Sequence, residues 1–111
     1  MSVNRILRIE PHQLGFTERT VGYPDGDEVL VRIRASAICT FEQRVYAGQQ
    51  PVARPLFGGH EIAGEVVEVG SRVAHLVNPG DHVAVARIAR CGYCRNCREG
   101  FGDQCENRRL F

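Results

Sequence analysis

Cys91, Cys94, Cys97 and Cys105 lie in CGYCRNCREGFGDQC, the first three at every third residue and the fourth after seven intervening residues. Four thiolates so closely spaced suit one tetrahedral zinc ion, because structural zinc sites take four protein ligands. Sulfur donors at that geometry select zinc or an iron–sulfur centre over an oxygen-seeking cation. Disulfides are the competing reading. Cysteines this crowded are poor disulfide partners, and MSVNRILRIEPHQ at the start has no apolar stretch of signal-peptide length. Zinc is the better reading.

A second set of residues is Cys39, His60 and Glu61. Cys39 ends an apolar run, and His60 stands in FGGHEIAG, where paired glycines let the backbone turn sharply and approach another group closely. Each alone is a weak signal, since a lone cysteine after a strand is commonly a small buried residue. Their order around the four-cysteine segment strengthens it.

The elements that must position these residues read as mainly β. Asn4 to Glu10 and Gln13 to Val21 are expected as two strands with a turn at Pro11, and Gly22 to Asp27 is a turn signal. In EVLVRIRASAIC, Val29, Val31, Ile33, Ala35 and Ala37 alternate with Arg32, Arg34 and Ser36, the period of a half-buried strand. Thr40 with Gln43 predicts a capping box, Phe41 and Val45 lie one helical turn apart, and Gly48 can end the helix. EIAGEVVEVG and DHVAVARIA predict further strands, with a turn at Asn78 to Asp81. The pattern is a small, mostly antiparallel barrel or sandwich, with the cysteine lobe as a loop excursion.

Composition sets the outer limits. At 111 residues the chain has the size of one domain, able to bury roughly two-thirds of its unfolded surface. Fourteen arginines, no lysine and thirteen acids leave it nearly neutral, which gives no bulk electrostatic argument for nucleic acid or membrane. No window approaches the ~20 apolar residues of a membrane span. A reducing cytoplasm is expected, where cysteines serve metals or catalysis.

The runs CTFEQRVYAG, GGHEIAGEVVEVGSRV, NPGDHV and CGYCRNCREGFGDQC, in this order and spacing, resemble the N-terminal catalytic domain of the zinc-dependent medium-chain alcohol dehydrogenases. The match runs from about Val29 to Asn107. It implies one GroES-like domain over 1–111, a partly open β-barrel with short helices and a structural-zinc lobe at 90–106. It also implies a catalytic zinc held partly by Cys39 and His60, with Glu61 beside it as an orienting group or transient ligand, and a structural zinc on Cys91, Cys94, Cys97 and Cys105. Gly59, Gly64, Gly70, Gly80 and Asp81 match the family's turn and packing positions. The implied reaction is NAD(P)-linked oxidation of an alcohol or polyol, in which zinc acts as a Lewis acid.

Two positions depart from the family pattern. Many members carry Ser or Thr two residues after the ligand cysteine, whose hydroxyl relays the alcohol proton, and a histidine three residues further on. Here these are Phe41 and Arg44, and a guanidinium cannot accept a proton. Thr40 is the candidate substitute, although a capping role would occupy its hydroxyl; water or Glu61 is the other proton route. Glu42 falls where the family has Asp or Glu, expected to hold nearby backbone or a basic residue.

The family binds nicotinamide on a Rossmann domain with a glycine-rich phosphate turn, and no Gly-x-Gly-x-x-Gly occurs among these residues. The expectation is therefore an incomplete enzyme, inactive alone, whose third catalytic-zinc ligand lies outside this sequence. Its partners would be a small alcohol or carbonyl substrate and either another copy of the chain or a protein supplying the Rossmann domain. The alternative is a non-catalytic zinc-binding interaction or assembly module of the same fold. A nucleic-acid-binding zinc ribbon is disfavoured, because Glu99, Asp103, Glu106 and a zinc tetrathiolate leave the six arginines around the lobe a net charge of about plus one.

Overall fold

A computed structural model describes residues 2–110. β1 (Ser2–Glu10) and β2 (Gln13–Val21) form a hairpin paired from Ser2 with Val21 to Glu10 with Gln13. Pro11 and His12 make the reversal, His12 at φ 59°, and the His12 N–H donates to the Tyr46 carbonyl at 2.8 Å. That bond ties the hairpin turn to the end of the helix that begins beside Cys39.

β3 (Val29–Ala37) leads through Cys39 into α1 (Thr40–Tyr46). β4 (Leu56–Phe57), too short to stand out in the sequence, pairs with β1, while β5 (Glu61–Val69) pairs with β3. β6 (His82–Val85) completes one sheet of order β3-β5-β6, and the other is ordered β2-β1-β4. DHVAVARIA is two strands: β6, and β7 (Ile88–Ala89), which pairs with β8 (Arg109–Leu110) as a separate ribbon. Every pairing is antiparallel. Two three-stranded sheets and a ribbon, with no closed barrel, agree with the partly open architecture expected.

The strict alternation predicted for β3 does not hold. Register shifts put an extra residue, Val67, in β5 opposite the Leu30–Val31 step and an extra residue, Arg34, in β3 between Ile33 and Ala35. A bulge changes which face the following side chains occupy. Leu30 and Val31, adjacent in the chain, are both half-buried, and from Arg32 to Ala37 the strand is exposed on both faces, Ile33, Ala35 and Ala37 included.

The core is small: Ile9, Val45, Val66, Cys94 and Cys105 are the buried apolar residues among those described. α1 packs against β1, the strand that carries Ile9. The chain exposes 8309 Å², against about 6,100 Å² for a folded monomer of its mass. Its radius of gyration, 15.9 Å, exceeds the roughly 13 Å of a compact domain of this length. Burial thus falls short of the two-thirds expected, and Leu14, Phe16, Ile33, Ile38 and Phe57 stand exposed.

The Gly22 to Asp27 turn docks on the end of β5 through Gly70, whose N–H donates to Glu28 O at 2.9 Å. A Cβ at Gly70 would overlap the backbone carbonyl of Asp25 and the backbone of Gly26. Gly70→Ala is expected to cost about 1–3 kcal/mol by overpacking. Gly15→Ala, with open space around its would-be Cβ, should leave stability within about 0.5 kcal/mol; urea unfolding of both variants is the check.

Candidate metal centres

The four cysteines of the lobe converge. Their sulfurs all lie within 4.8 Å of one another, with Cys91–Cys97 and Cys94–Cys105 each at 4.0 Å. Those separations exceed a disulfide bond by about 2 Å. They match the edge of a zinc–sulfur tetrahedron, about 3.8 Å for bonds of about 2.3 Å.

Local sequence builds this arrangement. Gly92 at φ 79° turns the chain after Cys91, and Cys94 caps α2 (Arg95–Arg98) by accepting the Cys97 N–H at 3.4 Å. Gly100 at φ 90° releases the helix, and a 3-10 turn at Gly102–Gln104 delivers Cys105. The lobe is therefore short helical turns rather than loop alone, bracketed by the β7–β8 ribbon. Backbone N–H groups point at sulfur: Cys94 N at Cys91 Sγ (3.3 Å), and Cys91 N and Asn107 N at Cys105 Sγ (3.3 and 3.4 Å). The Asn107 side chain, which the sequence reading passed over, adds a contact of 3.6 Å to Cys91 Sγ.

These contacts divide the thiols. Burial pushes Cys91 up, but N–H donors from Cys94 and Tyr93, with Asn107 and Cys105, outweigh it and bring the thiol down to about 6. N–H donors, that of Cys97 first, also lower Cys94. Burial, reinforced by the neighbouring cysteines, raises Cys97 to about 12. Charge on one sulfur thus opposes charge on the next, and a dication among them would remove that conflict. The donor set fits zinc.

The second centre forms where β3 becomes α1. Cys39 is the N-cap: its Sγ accepts the Phe41 N–H at 3.3 Å, and Glu42 Oε2 accepts the Cys39 N–H at 3.0 Å. The capping box is therefore Cys39 with Glu42, one residue before the Thr40 and Gln43 pair that was expected. The shift leaves Thr40 exposed in the first turn, with its hydroxyl outside the cap.

Glu42 is 1% exposed and organises both ligand candidates. Its Oε1 accepts the Gly59 N–H at 3.2 Å and lies 2.8 Å from His60 Nδ1. Burial would raise this carboxyl, but hydrogen bonds from the Cys39 side chain and from the backbone of Glu42, Gly59 and Cys39 hold it below its usual range. An Nδ1–H donated to Glu42 would leave Nε2 to face a metal, the arrangement expected of a metal-ligating histidine. Cys39, Glu42 and His60 offer ligand atoms within 4.8 Å of one another. Glu61 is exposed at the start of β5 and forms no such group with Cys39 and His60. Phe41 is half-buried and Arg44 exposed.

The wide groove between β1–β2 and β3–β5, lined by Val3, Tyr23, Leu30, Ile33 and Val67, includes none of these candidates. Among the described residues no helix is long and apolar enough to cross a membrane.

The profile of the alcohol dehydrogenase GroES-like domain matches residues 25–111. The chain belongs to that family. It is 34% identical over 102 residues to a zinc-type alcohol dehydrogenase B of Aspergillus flavus, covering 91% of this chain and 24% of that protein. It is 40% identical over 90 residues to alcohol dehydrogenase B of Mycobacterium tuberculosis, covering 80% and 24%. A solved structure of a short chain alcohol dehydrogenase from Escherichia coli CFT073 complexed with NADH superposes with a TM-score of 0.78 at 30% identity, covering 100% of this chain and 32% of that one. This GroES-like chain thus spans about a quarter to a third of the length of the relatives it matches.

Removing the Glu42 carboxylate would leave the N–H groups of Cys39 and Gly59 and the His60 Nδ1–H without their acceptor. Glu42→Ala is expected to lower unfolding stability by about 2–4 kcal/mol, and Glu42→Gln, which keeps one acceptor oxygen, by less. Denaturant titrations of the two variants beside the parent chain check the order.

Proposed function

We propose that this chain is the zinc-binding catalytic domain of an NAD(P)-dependent dehydrogenase acting on an alcohol or polyol. Family membership supports the class, and the meeting of Cys39 and His60 over a buried Glu42 is the observation that carries the site. In this reading the Cys39 thiolate and His60 Nε2 hold a catalytic zinc ion. Glu42, with three donors on its two oxygens, orients both. Cys91, Cys94, Cys97 and Cys105 hold a second, structural zinc that folds the lobe.

A zinc ion beside Cys39 would supply Lewis acidity toward the substrate oxygen. The chain's own residues do the rest. Two protein donors leave coordination positions for further ligands and for substrate. Phe41, half-buried two residues after Cys39, would be the apolar side chain nearest in sequence to the centre, where it would limit water. Thr40, released from capping, carries the hydroxyl nearest in sequence to Cys39, and Glu61 follows His60 directly; these two are the groups through which the substrate proton would leave. Hydride acceptance requires a nicotinamide site, and residues 1–111 contain no glycine-rich phosphate turn. The zinc centre is therefore expected to work against a cofactor-binding unit outside these residues.

A second reading, a non-catalytic zinc-binding interaction module, draws on the large exposed surface and the uncovered apolar side chains. Metal content separates the two. The catalytic reading expects about two zinc ions per chain, Cys39→Ser and Cys97→Ser each removing a different one. An unchanged metal content in Cys39→Ser would overturn the catalytic assignment, and one zinc per chain with self-association would favour the module. Residues 1–111 alone, given NAD(P)⁺ and an alcohol, should show no turnover above background, read as absorbance of the reduced nicotinamide.

A further inference from the structure

The loop that presents His60 is pinned from three elements. Gly58 N–H donates to Leu7 O of β1 at 3.0 Å, Gly59 N–H to Glu42 of α1 at 3.2 Å, and the Gly59 carbonyl accepts from Ser36 Oγ of β3 at 2.8 Å. Gly59 takes φ 88°, and a Cβ there would collide with the same Ser36 hydroxyl. Only glycine adopts this conformation without strain, so the serine sits where an ordinary side chain at 59 would have stood.

The position of Ser36 in the chain gives this bond its meaning. It lies on the strand that delivers Cys39 three residues later, and its acceptor is the residue directly before His60. Glu42 holds the imidazole at Nδ1 and the N–H of Gly59, which fixes the ring and one side of the glycine but leaves the Gly59–His60 peptide to be held at its carbonyl. The Ser36 bond restrains that peptide from the opposite side: Glu42 takes the N–H of Gly59, Ser36 its C=O.

We propose that Ser36 is a positioning residue of the Cys39–His60 centre, setting the distance between its two ligands by locking the Gly59 peptide to the strand that carries Cys39. The inference rests on the metal-centre reading above. A strand serine with a hydroxyl free to rotate would serve solubility alone, whereas this one reaches across 23 residues of sequence to a left-handed glycine.

Cobalt(II) as a spectroscopic substitute for zinc, with a chromophoric chelator as competitor, tests the proposal on the whole chain. Ser36→Ala should bind two equivalents, weaken the Cys39–His60 site by about tenfold, and shift its visible d–d bands, while the four-cysteine site keeps its affinity. Ser36→Thr, which restores the hydroxyl, should recover affinity and spectrum. Parental affinity and bands in Ser36→Ala would overturn the proposal, as would equal weakening of both sites or a failure of Ser36→Thr to rescue. Cys39→Ser separates the two claims: if it leaves cobalt binding unchanged, the metal-centre reading fails first and the role of Ser36 falls with it.

Discussion

A single buried carboxylate holds the Cys39–His60 end of this domain together. Glu42 takes N–H groups from Cys39 and Gly59 and faces His60 Nδ1, so one side chain closes the helix cap, anchors the glycine loop and fixes the imidazole tautomer. A buried acid is costly unless its oxygens are satisfied, and here donors from three places satisfy them. The cysteine and the histidine, 21 positions apart in the chain, therefore share one hydrogen-bonded partner. Sheet, helix and loop are all oriented about that carboxylate.

The cysteine lobe follows a different principle. Its four residues lie within fifteen positions, and local turns suffice to bring them together. Glycines at left-handed φ, a one-turn helix capped by a ligand cysteine, and backbone N–H groups aimed at sulfur need little tertiary support. Such a site is coupled to its own folding. The Cys39 centre instead depends on both sheets, because Leu7, Ser36 and α1 each hold the loop before His60.

The slender core explains why the two sheets do not close on each other. With few fully buried apolar side chains and a surface about a third larger than its mass predicts, the domain leaves an apolar face open. That openness is compatible with a domain that works against a second unit, as the proposed function requires.

Much was legible in the residues themselves. The hairpin at Pro11, the helix after Cys39 and the turn at Asn78 are local events written by proline, capping and glycine chemistry, and the cysteine spacing carries its own metal geometry. The strand β4 and the split of DHVAVARIA were not legible, since two-residue strands exist only by virtue of their partners. The alternation of β3 did not become burial because the strand is exposed on both faces after Val31, and nothing in EVLVRIRASAIC marks where β3 gains Arg34 or β5 gains Val67 against its partner. The capping box slid from Thr40 to Cys39 because Cys39, in extended backbone where the helix begins, takes the Phe41 N–H on its sulfur while the buried Glu42 takes the Cys39 N–H. By itself, then, the sequence determined the family and the spacing that gathers the four sulfurs, and it singled out Cys39 and His60 as candidates. Tertiary structure alone decided that Glu42 stands with them: the first turn of α1 brings its carboxylate back to the N–H groups of Cys39 and Gly59 and to His60 Nδ1, a meeting that depends on packing between the helix and the loop before β5.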